Sequence, residues 1–420
     1  MLTNAMSLLL AWAAPQDQAR FDPLFDGKTL AGWKLVGGDG RGYVVEEGAI
    51  VCPKDGGGNL FTEKEYGDFA LRLEFWTEPG GNNGIGIRAP LEGDAAYVGM
   101  EVQVLDDAAP QYASLLPSQY CGSVYKVSAV KRGALKPAGE WNAMEIVAVG
   151  RRVRVRINGQ EVNDADLNAV TDAATLAEHA GILRERGHVG LLGHHSLVKF
   201  RKVEIADLTK PRGDNVVPDG FTALFDGIDL KNWKGLVSPD KGVPGRAAMT
   251  PVQLAEAQKA ADERMRAHWK AEGGALVFDG KGDSLCTARD FTNFELWVDW
   301  KILKDGDSGI YLRGSPQVQI WDHPIGSGGL YNNKKPENPD QPLAVADRPI
   351  GEWNRFKVLM IGERVTVFLN DVLVVNNTVL ENYWERDRPI YPSGQIELQN
   401  HGNTLWFKNV FLRELPAATQ

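Results

Sequence analysis

Three short stretches carry side chains whose type and spacing suit chemistry on a polar, ring-shaped molecule. The first is Gln317-Val318-Gln319-Ile320-Trp321-Asp322-His323. In a strand, residues 317, 319 and 321 share one face. Two amides and an indole then stand in a row, the amides suited to hydroxyls and the indole to the apolar face of a sugar ring. Glu101-Val102-Gln103-Val104-Leu105-Asp106 repeats the arrangement with Glu101 and Gln103. A core-facing strand would hardly choose Glu, Gln and Gln, so these positions read as binding positions. The second stretch is Leu398-Gln399-Asn400-His401-Gly402, with a counterpart at Leu192-Gly193-His194-His195. Imidazole is the natural base or metal ligand near neutral pH, which marks His401 and His194 as catalytic positions and Asn400 as a contact. The third is Asp307-Ser308-Gly309-Ile310-Tyr311-Leu312-Arg313, a turn feeding a strand that presents Tyr311 and Arg313 on one face. Arg313 and Arg88 offer cations for hydroxyls, or form salt bridges at the surface. Asp307 joins the binding set, with Asn83 set against it in Gly81-Asn82-Asn83-Gly84. Gly306-Asp307-Ser308-Gly309 is superficially similar to a serine-protease nucleophile loop, but no partner pattern supports a triad. Tyr331 and Tyr125 align between the copies, and either line a groove or simply pack. Trp353 and Trp141, each opening a strand, are expected in the core.

These positions come in pairs because the chain repeats itself. Phe21-Asp22-Pro23-Leu24-Phe25-Asp26-Gly27 recurs as Phe221-Thr222-Ala223-Leu224-Phe225-Asp226-Gly227, and Trp33-Lys34 as Trp233-Lys234, at an offset of 200. Gly84-Ile85-Gly86-Ile87-Arg88 matches Gly309-Ile310-Tyr311-Leu312-Arg313 at 225, and Glu140-Trp141-Asn142 matches Glu352-Trp353-Asn354 at 212. His194 matches His401 at 207. Ordered matches with drifting offsets mean two diverged copies of one domain, too long to be solenoid units. The expected plan is a segment 1–20, a first domain 21–207, a linker 208–219 and a second domain 220–416. The jump from 200 to 225 locates an insertion in the second copy, at about 250–270. There Thr250-Pro251 and Gln253 form a capping box ahead of an Ala-rich helical run. A weaker helical stretch lies near 171–180. Nearly everything else alternates with period two, as in Arg152-Val153-Arg154-Val155-Arg156-Ile157 running into the hairpin turn Asn158-Gly159. Many short strands with glycine turns predict an all-β chain of two tandem jelly-roll β-sandwiches.

Composition narrows the function classes. A net charge of −9 argues against a nucleic-acid partner, which normally meets a basic face. No apolar run reaches the ~18 residues of a membrane span. The three cysteines, 52, 121 and 286, fit no zinc spacing. Ser7-Leu8-Leu9-Leu10-Ala11-Trp12-Ala13-Ala14 is a short apolar run with an A-x-A cleavage pattern, so export to the periplasm or beyond is expected. The first basic residue is Arg20, which departs from the usual positive start of a signal peptide.

In order along the second copy stand Leu224-Phe225-Asp226-Gly227, Asp307-Ser308-Gly309-Ile310-Tyr311-Leu312-Arg313-Gly314, Val318-Gln319-Ile320-Trp321-Asp322, Glu352-Trp353-Asn354, Phe368-Leu369-Asn370-Asp371 and the run Gly394 to Leu412. This series resembles the 3-keto-disaccharide hydrolase family, and the first copy carries it in looser form. The resemblance implies a concanavalin A-like jelly roll acting on sugars oxidised at C3. A C3 ketone acidifies the C2 hydrogen. A base removes it, the enolate expels the aglycone from C1, and water adds to the enone. Such a site needs a base near neutral pKa and a cation or metal at the enolate oxygen, rather than two flanking carboxylates. In this reading His401 or Asp322 is the base in the second copy. Arg313 or one divalent metal on His401, Asp322 and His323 meets the enolate, and His194 is the first copy's counterpart. Tyr311, Gln317, Gln319, Trp321, Tyr331 and Asn400 bind substrate, as do Arg88, Glu101 and Gln103. The alternative is a tandem glycan-binding protein without catalysis.

Overall fold

The computed structural model describes residues 19–38 and 40–416. The apolar run near the start lies outside the described residues. Among them, no helix is long and apolar enough to cross a membrane. The chain divides into two compact units, changing over between Pro211 and Arg212.

Each unit is a two-sheet sandwich. In the first, the larger sheet runs Gln160–Asp166, Arg152–Ile157, Asn142–Val149, Phe69–Thr77, Val198–Asp207, Ala49–Cys52, Val44–Glu46, with Asp22–Pro23 added onto Val198–Asp207. The smaller sheet runs Trp33–Val36, Asn59–Tyr66, Gly187–Gly193, Asn82–Ala89, Met100–Leu105. The second unit repeats both. Its smaller sheet runs Trp233–Gly235, Leu285–Thr287, Glu397–Leu398, Asp307–Leu312, Ser315–Trp321. All pairings are antiparallel.

Period-two alternation sends Val102, Val104, Val318 and Ile320 into the cores, each fully buried. Burial of such a side chain stabilises by roughly 1.5–3 kcal/mol. The intervening residues of the same strands point to the other face of the small sheet. That face is buried too, yet polar: Glu101, Gln103, Gln317 and Gln319 are all at or below 5% exposure.

The repeated motifs have structural reasons. The indoles of Trp33 and Trp233 donate to the carbonyls of Leu24 and Leu224, at 2.6 and 2.8 Å, tying the first loop of each copy to its sheet. In Glu-Trp-Asn the anchor is the asparagine. Asn142 and Asn354 accept from Lys136 N and Arg348 N at 2.8 Å and from the turn residues Asn158 and Asn370. The tryptophans of that motif are only half-buried, contrary to the expected core position. Trp353 lies under Lys301 and Lys408, and Trp141 under Arg201. These rings follow cations rather than apolar neighbours.

The inserted helix spans Pro251–His268, with Thr250 as N-cap and the reciprocal Gln253 bond in place. A short helix, Gly242–Ala247, precedes it. Sequence gives no warning of it, because Gly242, Pro244 and Gly245 are poor helix formers.

Candidate active site

The polar face of the second copy's small sheet gathers residues from three strands. Gln317, Gln319 and Trp321 come from the edge strand, Asp307, Gly309 and Tyr311 from its neighbour, and Gln395, Glu397 and Gln399 from the next. Gln317 donates its amide to Gln319, and Gln319 donates to Asp307 Oδ1 at 2.8 Å. Asp307 Oδ2 lies 3.5 Å from His401 Nδ1. Gln399 donates to the Tyr311 hydroxyl at 3.2 Å. The amide N–H₂ groups of Gln317, Gln319 and Gln399 are spent on these bonds, while two of the three carbonyl ends are left over. The buried oxygens Gln317 Oε1, Gln395 Oε1 and Gln399 Oε1 accept no hydrogen bond. A buried acceptor without a donor costs about 1–3 kcal/mol, and sugar hydroxyls would supply donors.

Gly309 makes the arrangement possible. A Cβ there would stand 2.7 Å from Gln317 Cδ, so the glycine lets the neighbouring amide lie across its strand. Gly84 does the same in the first copy, where an added Cβ would meet Glu101 Oε1 at 1.8 Å.

The residue that sequence reasoning missed is Glu397. It is 2% exposed and directly opposite Tyr311 in the sheet register. Arg246, from the short helix, reaches its Oε1 at 3.3 Å and also donates to Val237 O. Burial pushes the Glu397 carboxyl up to about 7, against the opposing pull of Arg246. Burial, reinforced by the Glu397 charge, also holds the Tyr311 phenol well above its ordinary value, so it stays protonated. Cys286, across from Glu397, is pushed up to about 12 by burial, which removes it as a nucleophile.

Beyond Asp307 the edge becomes aromatic. Trp321 packs against His323 at 4.5 Å and edge-on to Tyr331 at 5.1 Å, and its indole donates to Gly326 O. Tyr331 is 45% exposed.

Several expected roles change. Arg313 is 2% exposed and donates to the carbonyls of Thr292, Gly362 and Tyr391 and to Asn293 Oδ1, so it braces loops instead of meeting a substrate. Burial lowers its guanidinium to about 10. Arg88 holds the corresponding Gly67, Gly150 and Arg184 carbonyls and Asp68. Asn400 spends its amide on Gly282 O and Gly402 N, as a turn residue. Asp322 is exposed and accepts from Asp305 N at 2.9 Å, which takes it out of the role of base. The expected metal set does not assemble. His401 pairs with Asp307, His323 takes Ile325 N–H and stacks on Trp321, and Asp322 caps a turn. Among the described residues, no three His, Cys, Asp or Glu side chains converge as metal ligands.

The first copy is built differently on this face. Where the second has Tyr311, Glu397, Gln399 and Cys286, the register places Gly86, Gly190, Leu192 and Phe61. Phe61 covers Gly190 so closely that an added Cβ would meet the ring at 2.4 Å. Phe61, Ala89, Ala95 and Leu192 form an apolar cluster there. What remains polar is Glu101, with His194 Nε2 at 3.7 Å, and Gln103, which donates to Asn82 at 2.7 Å. The Glu101 carboxylate raises the His194 pKa. Register also makes Asn82, not Asn83, the counterpart of Asp307: the two oppose Leu105 and Trp321. Tyr125 is half-buried and takes a bond from Gln119 at 3.4 Å.

A Bacteroides thetaiotaomicron protein named 3-keto-disaccharide hydrolase is 24% identical over 253 residues, 47% of this chain and 79% of that protein. A candidate glycosyl hydrolase of known structure from Parabacteroides distasonis is 27% identical, with a TM-score of 0.41 over 45% of this chain and all of that one. The Bacillus subtilis carbohydrate-binding module CBM66 is 15% identical, with a TM-score of 0.29 over 42% of this chain and 95% of its own. The model of the 3-keto-α-glucoside-1,2-lyase-like domain matches twice, at residues 20–206 and 220–413. The chain is accordingly glycoside-hydrolase-like in kind. With both sandwiches matched almost end to end, it belongs to the family of 3-keto-α-glucoside-1,2-lyase-like domains.

Proposed function

We propose that the second copy cleaves the glycosidic bond of 3-keto-glycosides, with Glu397 as the base. The observation that carries this reading is one buried carboxyl lifted to about 7, on a polar sheet face beside Arg246 and Tyr311. The first copy has Gly190 under Phe61 at that place. A base works best when its pKa lies near the working pH.

The C3 ketone acidifies the C2–H bond, and Glu397 takes that proton. The electron pair moves into C2–C3 and charge gathers on the C3 oxygen, where the Arg246 guanidinium and the Tyr311 hydroxyl stabilise it. Collapse of the enolate breaks C1–O, and Glu397 returns its proton to the departing aglycone oxygen. Water then adds across the enone, hydroxyl to C1 and proton to C2, so the net change is hydrolysis. The free amide oxygens of Gln317 and Gln399 accept from ring hydroxyls, and Trp321 with Tyr331 supports a further ring. No step is routed through a metal, since the residues once expected to hold one are engaged elsewhere. The first copy, its corresponding face closed by Phe61 and Leu192, binds or supports rather than catalyses. Action outside the cytoplasm is part of the same proposal.

The test uses a 3-keto-glucoside deuterated at C2. Release of the sugar should be slowed by the label, and the label should pass to solvent. Glu397→Gln should lower the rate by a factor of about 100 or more, whereas His194→Ala should leave it in place. Release with no isotope effect and no loss of label would overturn the elimination route. Absence of release, alongside binding of unoxidised glycans, would leave a tandem glycan-binding protein.

A further inference from the structure

The inserted helices of the second copy roof a cavity of about 640 Å³, within the roughly 300–1,000 Å³ range of small-molecule sites. Most of its lining is hydrocarbon, from Val237, Val243, Pro251, Leu254 and Ala255, interrupted by Arg246, Gln258, Asp290 and Ser393. Its floor carries Lys234 and Gln395 from the polar sheet face. Arg246 lines the cavity and also reaches Glu397 Oε1, so one side chain joins the cavity to the acid. The chemistry changes along this path, from amides beside Tyr311 to methyl groups beneath the insert.

We propose that this cavity is the subsite for an apolar, aromatic aglycone of the glycoside whose sugar sits at Glu397, an inference that rests on the reading of that face as the sugar site. Four observations converge on it. A second sugar would set part of its hydroxyls against Val237, Val243 and Leu254, whereas an aryl ring matches those groups and leaves Gln258, Asp290 and Ser393 for its substituents. The unpartnered Gln395 Oε1, 9% exposed, supplies an acceptor for a hydroxyl at the junction of sugar and aglycone. Lys234 provides a cation for a phenolic oxygen. The insertion that forms the roof is confined to the second copy, the copy that also carries Glu397, so roof and acid occur together.

Leaving-group ability would confuse rates, so the test reads binding. Calorimetry would compare p-nitrophenyl glucoside with methyl glucoside of the same anomer, neither of them oxidised at C3. The aryl glucoside should bind about ten-fold tighter or better. Ala255→Trp, which fills the cavity from an exposed helix position, and Leu254→Asp should each erase that difference and leave methyl glucoside binding unchanged. Equal affinities, no binding of either glucoside, or a preference that survives both substitutions would overturn the proposal. A retained preference in a protein that fails to cleave 3-keto-glucosides would support the subsite and sink the proposed activity instead. Cleavage without any aryl preference would do the reverse.

Discussion

Glu397 makes a prediction about stability that is independent of any substrate. Its carboxyl titrates at about 7 in the folded protein against an ordinary value of 4.5. Between those two pH values the unfolded chain has lost the proton while the folded chain keeps it. The contribution of Glu397 to stability is therefore greatest below about pH 4.5, falls as pH rises, and levels off above pH 7. The difference amounts to about 3 kcal/mol, at about 1.4 kcal/mol per pH unit. Glu397→Gln keeps an acceptor for Arg246 and has no proton to lose. Relative to the parent, the variant should gain about 3 kcal/mol between pH 4.5 and 8. The assay is denaturant unfolding at several pH values, followed by tryptophan fluorescence. Eight of the 12 tryptophans lie in the second copy, so that signal reports mainly on the right unit. The refuting result is a parent and variant whose stabilities run parallel across the range. That would mean Glu397 is ionised throughout, held by Arg246, and is no base poised near neutrality. If the reasoning holds, kcat/KM of the parent should rise with pH through about 7 and then flatten.

The other expectations are shorter. Arg313→Met should destabilise the second copy by roughly 3 kcal/mol or more, because it strands several buried acceptors; the folded fraction should keep its turnover, which separates a brace from a substrate contact. Gly309→Ala should push the Gln317 amide off its strand, costing about 1–3 kcal/mol in stability, and should weaken sugar binding in the same titrations. Activity should survive dialysis against a strong chelator, and full loss that added divalent metal restores would refute the present assignment of the enolate-stabilising groups.

Much of this was legible in the sequence because its signals are periodic. The repeat, the alternating strands and the capped insert all declare themselves through spacing. So did Gln317 and Gln319, amides that alternate with Val318 and Ile320 along one strand. The same test applied to Gln395-Ile396-Glu397-Leu398-Gln399 exposes Glu397, since its polar residues also fall on one face. Arg246 was beyond reach, because its helix contains residues that oppose helix formation and its contact with Glu397 spans 151 positions. Arg313 was misjudged for a general reason. Sequence shows that a cation follows a strand, whereas only the fold shows that three loop carbonyls converge on it.

That convergence bears on how the two copies drifted apart. Arg88 and Arg313 hold the same three places in their sandwiches, Gly67 and Thr292, Gly150 and Gly362, Arg184 and Tyr391. At these three places each arginine grips main chain, where every residue type offers the same carbonyl, and only the further bond, to Asp68 or Asn293, depends on a side chain. A glycine could become a threonine, or an arginine a tyrosine, without loosening the grip. A fastening of this sort tolerates mutation at the three residues whose carbonyls it holds and at none of its own atoms. After duplication it left the surrounding loops free to diverge toward separate tasks while the frame that carries them stayed the same.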